Sequence, residues 1–129
     1  MAIPQQQQHP RQSLSFSKPE EVREFPKGKI ELVTVGGVTM GRATFEPGWR
    51  WSTHMKSMAA TDSCQISHLG IALSGRMHIK MDDGTEREFG PGEVVNIPPG
   101  HDGWVVGNEP AVFIDITGME NYARQEKAA

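Results

Sequence analysis

At 129 residues, the chain has the length of one domain built around one core. Its 14 glycines and 9 prolines, beside a hydrophobic fraction of 36%, suit a turn-rich β protein and argue against a helical bundle. A net charge of −3 gives no basic footprint for nucleic acid, and the single cysteine excludes an intramolecular disulfide framework.

Residues 1–18 are rich in Gln, Ser and Pro and hold few apolar groups. Such a segment buries too little surface to offset its ordering entropy, so a mobile tail is expected, with His9 solvated in it. The first residues lack the apolar stretch of a secretory signal. No run approaches the roughly 18 to 20 apolar residues of a membrane span. With its lone Cys64 suited to a reducing compartment, the chain reads as soluble and cytoplasmic, with no membrane partner.

Ordered structure is expected over residues 19–118, followed by a C-terminal appendage at 119–129, of which 119–127 alone has helical character. Residues 29–35 alternate apolar and polar side chains up to Gly36-Gly37, a hairpin signal, and 38–45 reads as the return strand. Residues 49–56 alternate again after Pro47-Gly48. Further strands are expected at 64–73, 77–81, 85–89, 94–97, 104–106 and 112–116. Asp82-Asp83-Gly84 marks a tight hairpin between two of them. Nine short strands with regular turns predict an all-β sandwich or barrel.

If 49–56 is a strand, alternate side chains share a face. One face then carries Arg50, Ser52, His54 and Lys56; the other carries Trp49, Trp51, Thr53 and Met55. Three glycine-anchored stretches stand in and around this region: Gly48-x5-His54, His68-x6-Gly75, and Gly90-Pro91-Gly92-x5-Pro98-Pro99-Gly100-His101. They resemble the two motifs of the cupin superfamily, G-x5-H-x-H-x3,4-E-x6-G and G-x5-P-x-G-x2-H-x3-N. The resemblance covers residues 44–106. The strings "FEPGWRWSTH", "TDSCQ", "SGRMHIKMDDGTE" and "IPPGHDGWVVGNEP" are similar to those of small single-domain bacterial cupins.

The resemblance implies a single cupin-type jelly-roll β-barrel with a cavity. His54 matches the first metal histidine of the motif, and the second falls at Lys56. The motif glutamate falls at His68, and the histidine of the second motif falls at Gly103, with His101 two residues earlier. A metal site of His54, His68 and His101 is therefore expected, holding one divalent transition metal (Zn, Fe, Ni or Mn) with one position open. Arg50, Lys56, Cys64 and Trp104 are expected to line the pocket, giving it a polar, cationic wall. A metal-free barrel with hydrogen-bonded histidines is the competing arrangement. Cys64 shares strand parity with His68 and is either a ligand or a small packed hydrophobe; Asp62 is a further candidate ligand. Asp102 is a candidate partner for the His101 ring. His78 reads as an exposed strand histidine.

Three functions follow as expectations: a small-molecule binding module, a metal-dependent enzyme of dioxygenase or isomerase type, or a dimerising structural unit. A homodimer is expected because Trp49, Trp51 and Met55 share a face opposite the pocket, where a partner or the chain's own N-terminal segment would cover them. No phosphate-binding loop, dinucleotide fingerprint or G-x-S-x-G elbow is present.

Overall fold

The structure is a computed structural model that describes residues 12–119 and 122–123. Among these residues the strands are β1 (Glu21–Phe25), β2 (Gly28–Val35), β3 (Val38–Phe45), β4 (His68–Ser74), β5 (Arg76–Met81), β6 (Glu86–Phe89), β7 (Val94–Ile97), β8 (His101–Val106) and β9 (Ala111–Asp115). Two short helices, α1 (Trp51–His54) and α2 (Lys56–Ala59), fall between β3 and β4. The strands form a six-stranded antiparallel sheet in the order β1-β2-β3-β9-β4-β7 and a three-stranded sheet in the order β6-β5-β8.

The expected barrel is thus an open pair of sheets, because no ladder among the described residues joins their edges. Isolated bridges link Arg50 to Trp104 and Cys64 to His101, and these are too short to close a barrel. One core lies between the sheets. Ile30, Ala43, Phe45 and Phe113 face it from the large sheet, and Met77, Ile79, Phe89 and Val105 from the small one. Phe89 and Phe113 meet across it with ring centroids 5.8 Å apart. Ile30 is fully buried. Ile30→Ala should cost about 2–5 kcal/mol, read as a lower denaturant midpoint at unchanged slope.

β2, β3 and β7 lie where the alternation places them, to within one residue. β8 begins three residues earlier than expected, and β1 has no counterpart in the sequence reading. The largest departure is 49–56, where a strand was expected. Only Arg50 makes a bridge, and the chain then coils into α1 and α2. A helix puts i and i+4 on one face, so Trp51 and Met55 both turn inward, each 2% exposed. Trp49 is also buried and packs tilted against Phe45 with centroids 4.3 Å apart. The apolar patch expected to hold a homodimer is therefore core, and the assembly argument built on it does not stand. The exposed apolar side chains Leu69, Ile71, Leu73 and Val94 lie instead on the outer face of β4 and β7.

Residues 1–11 of the expected tail lie outside the described residues. Residues 12–18 form no strand yet touch the fold: Gln12 Oε1 accepts from the Gly36 N–H, and Arg42 lies over the Phe16 ring. At the other end, Met119 and Tyr122 are packed in the core rather than appended to it. The Arg23 guanidinium pins them by donating to the carbonyls of Met119 and Tyr122 at 3.0 and 2.8 Å. No helix among the described residues is long and apolar enough to cross a membrane.

Candidate metal centre

β4 starts at His68 and pairs with β9, where Gly70 stands opposite Asp115. That register sets the Asp115 carboxylate beside the His68 ring. Asp115 is completely buried, and its Oδ2 accepts from His68 Nδ1 at 2.5 Å. Its Oδ1 accepts from the Thr117 N–H at 2.9 Å. The close pairing needs Gly70: a Cβ there would stand 1.9 Å from the carbonyl oxygen of Ile114.

His101 opens β8 directly after the Pro98-Pro99-Gly100 turn. Its Nδ1 donates to the Pro98 carbonyl at 2.7 Å. Cys64 sits across from it, held by the isolated bridge. The three side chains converge: their ligand atoms lie within 4.8 Å of one another, and all three residues are buried. Cys64 Sγ is 3.8 Å from His68 Nε2, and the His68 and His101 ring centroids are 5.4 Å apart. With both Nδ1 atoms occupied, each ring turns Nε2 toward the centre. This is the arrangement in which a ligating histidine gives its other ring nitrogen to a carboxylate or carbonyl.

Burial sets the protonation states. It pushes the Cys64 thiol up to about 11, with the Asp115 charge adding to the rise. It drives His101 down to about 4, against the raising effect of its bond to Pro98. His101 is therefore neutral near pH 7, as a metal ligand must be, and Cys64 is a thiol until a cation displaces its proton. Because the folded His101 resists a proton that the unfolded chain accepts near 6.5, its contribution to stability is fully present only above pH 6.5. It should fall as pH drops from 6.5 toward 4, by at most about 1.4 kcal/mol per pH unit. Unfolding titrations of the metal-free chain at pH 7 and pH 5 measure this, and His101→Gln should flatten the dependence.

The other expected site residues lie elsewhere. His54 ends α1 half-buried, its Nδ1 3.1 Å from both the backbone N and the carbonyl of Arg50, and it is not in the converging group. The helix turns it away from where a strand would have aimed it. Arg50 lies over the Trp104 ring at 4.0 Å, and His78 stacks on Trp104 at 4.6 Å. Those three residues form a cluster on the small sheet, outside the converging group. Lys56 is exposed and 3.7 Å from Asp62, itself fully exposed. The expected cationic wall is therefore absent from the centre. Asp102 does not orient His101; its Oδ1 accepts the N–H of Ser52 at 3.0 Å, at the start of α1.

Two residues at the centre escaped the sequence reading. Asp115 is 47 positions from His68, and only the β4–β9 pairing brings them together. Tyr122 stands edge-on to His68 with centroids 5.3 Å apart, and burial holds its phenol well above the usual range. Both histidines also line a small cavity of about 40 Å³ between the sheets, walled by Phe45, Trp49, Met77 and Phe113. That volume admits one or two small atoms, not a drug-sized ligand.

No family model matches the sequence, and no curated protein matches it either. Solved structures do. A protein of unknown function from Acidithiobacillus ferrooxidans aligns at a TM-score of 0.56 and 17% identity, covering 88% of this chain and 97% of that one. The polyketide cyclase RemF from Streptomyces resistomycificus aligns at 0.58 and 17%, covering 82% and 78%. A sugar phosphate isomerase from a cupin superfamily, from Silicibacter pomeroyi, aligns at 0.57 and 16%, covering 81% and 73%. At such identities the likeness speaks to fold alone.

Proposed function

We propose that this chain of cupin-type fold holds one divalent transition-metal ion on Cys64, His68 and His101, with Asp115 and the Pro98 carbonyl fixing the two imidazoles. The observation that supports this reading is the convergence of three buried ligand atoms within 4.8 Å. A tetrahedral ion with a sulfur at ~2.3 Å and a nitrogen at ~2.0 Å sets the two about 3.5 Å apart. The 3.8 Å between Cys64 Sγ and His68 Nε2 needs only a few tenths of an ångström to close.

The donor set fits such an ion and narrows its identity. A thiolate with two imidazoles favours zinc, iron or nickel and disfavours manganese, which prefers oxygen donors. Three protein ligands leave a position open, the mark of a catalytic rather than a structural site; the ion would supply a Lewis acid there. The residues around it do the rest. His68 and Asp115 hold a tautomer, the apolar cavity walls exclude water, and Trp49 contributes an indole N–H that has no acceptor among the described residues. That donor would orient a small polar group at the centre. The reading is therefore a metal-dependent cupin acting on a small molecule.

Protein purified without chelators, analysed for its elements, should carry about one equivalent of a transition metal per chain. Asp115→Asn should keep the fold and weaken metal affinity about 10- to 100-fold, because the His68 ring loses its anchor. Unchanged affinity in Asp115→Asn would remove Asp115 from the centre.

A further inference from the structure

A groove of about 440 Å³ adjoins the proposed centre, on the side of α1 and α2. Cys64 and Tyr122 form its inner wall. Tyr122 and Trp51 also line the small cavity bordered by His68 and His101, so these two side chains are walls common to both spaces. The groove has the volume of a small-molecule site, whereas the cavity is an order of magnitude too small for one.

Its chemistry is specific. Met55, Met58, Ala59 and Ile66 supply apolar, adaptable walls. Thr61 and Gln65 are its polar lining, apart from the shared tyrosine. No charged side chain among the described residues lines it, since Lys56 is turned aside to Asp62 and Arg50 to Trp104 and Asp102. An anion there would lose hydration without a cationic partner, whereas an apolar body would gain by leaving water.

We infer that this groove binds a neutral, largely apolar small molecule and presents it to the Cys64 edge of the centre, with Tyr122 as the positioning wall. The inference builds on the proposed metal centre for its purpose, but binding in the groove requires no metal. It also replaces the cationic pocket expected from the sequence with an uncharged one.

Two fluorescent probes that share an aromatic frame and differ by a sulfonate test it on the full chain. N-phenyl-1-naphthylamine should bind saturably at about one per chain, and 8-anilino-1-naphthalenesulfonate about ten-fold more weakly or worse. Ala59→Trp, which fills the groove, and Met58→Glu, which charges it, should each weaken the neutral probe by about ten-fold. Metal content and unfolding temperature should stay as in the parent chain. Cys64, the sole cysteine, supplies a second readout. In chelator-treated protein, saturating neutral probe should slow its alkylation by N-ethylmaleimide several-fold. Non-saturable binding, equal affinity for the two probes, full affinity in both variants, or an alkylation rate indifferent to the probe would each overturn the inference. None of these outcomes depends on metal being bound, so the centre and the groove can fail separately.

Discussion

Cys64→Ser, His68→Ala and His101→Ala should each lose most of the bound metal, while His54→Ala should keep it. Removing one of three ligands leaves two donors to compete with water for a labile cation. His54, by contrast, has its Nδ1 at the Arg50 backbone and lies outside the converging group. The contrast tests the structure against the motif, since the motif makes His54 the first ligand. His68→Ala should also destabilise the metal-free chain, because it leaves the buried Asp115 carboxylate without a principal partner. A buried acceptor so orphaned costs about 1–3 kcal/mol, and more if it stays charged. Elemental analysis of the four variants, beside their unfolding midpoints, separates loss of a ligand from loss of the fold. Full stoichiometry in Cys64→Ser would remove the thiol from the centre.

Gly70→Val should be the most damaging single substitution in the sheet. The Cβ of any other residue would stand 1.9 Å from the Ile114 carbonyl oxygen and 2.9 Å from the Asp115 Cα. These are backbone atoms of β9, which is paired on its other side with β3 and cannot step away. Overpacking of side chains costs about 1–3 kcal/mol, and a clash that only strand separation relieves should exceed that range. The same separation would draw Asp115 from His68, so Gly70→Val should lose metal as well as stability. Circular dichroism melts together with metal content check this. A variant melting within a few degrees of the parent would show that β4 and β9 are less closely paired than described.

The strands that could be read from the sequence are those with one wet and one dry face. In β2 and β3, alternation together with the Gly36-Gly37 turn sets the register, and residues 38–45 emerge at their full length. Residues 49–56 misled because W-R-W-S-T-H alternates by twos over a stretch too short to show helical period. The i, i+4 pair Trp51 and Met55 was the one signal of the helix, and it competes with a period-two pattern through the same residues. Barrel closure is invisible to local pattern altogether, since it depends on whether distant edges pair.

The centre was half legible. His68 and His101 stand at or near motif positions, and Cys64 was visible only as a candidate. Its closeness to His101 comes from a single bridge between loop and strand. Asp115 and Tyr122 could not be found from spacing, because nothing local ties them to His68. Of the charged residues expected in the pocket, Lys56 lies in α2, where strand parity does not hold, while Arg50 is extended and bridged to Trp104, over whose ring its guanidinium lies.

The most direct test of the proposed centre is X-ray absorption at the edge of the bound metal, zinc being the first choice. One sulfur neighbour at ~2.3 Å and two imidazole nitrogens at ~2.0 Å are expected, with the sulfur lost in Cys64→Ser. A shell of nitrogen and oxygen alone in the parent chain, with imidazole lost in His54→Ala, would contradict the proposed centre.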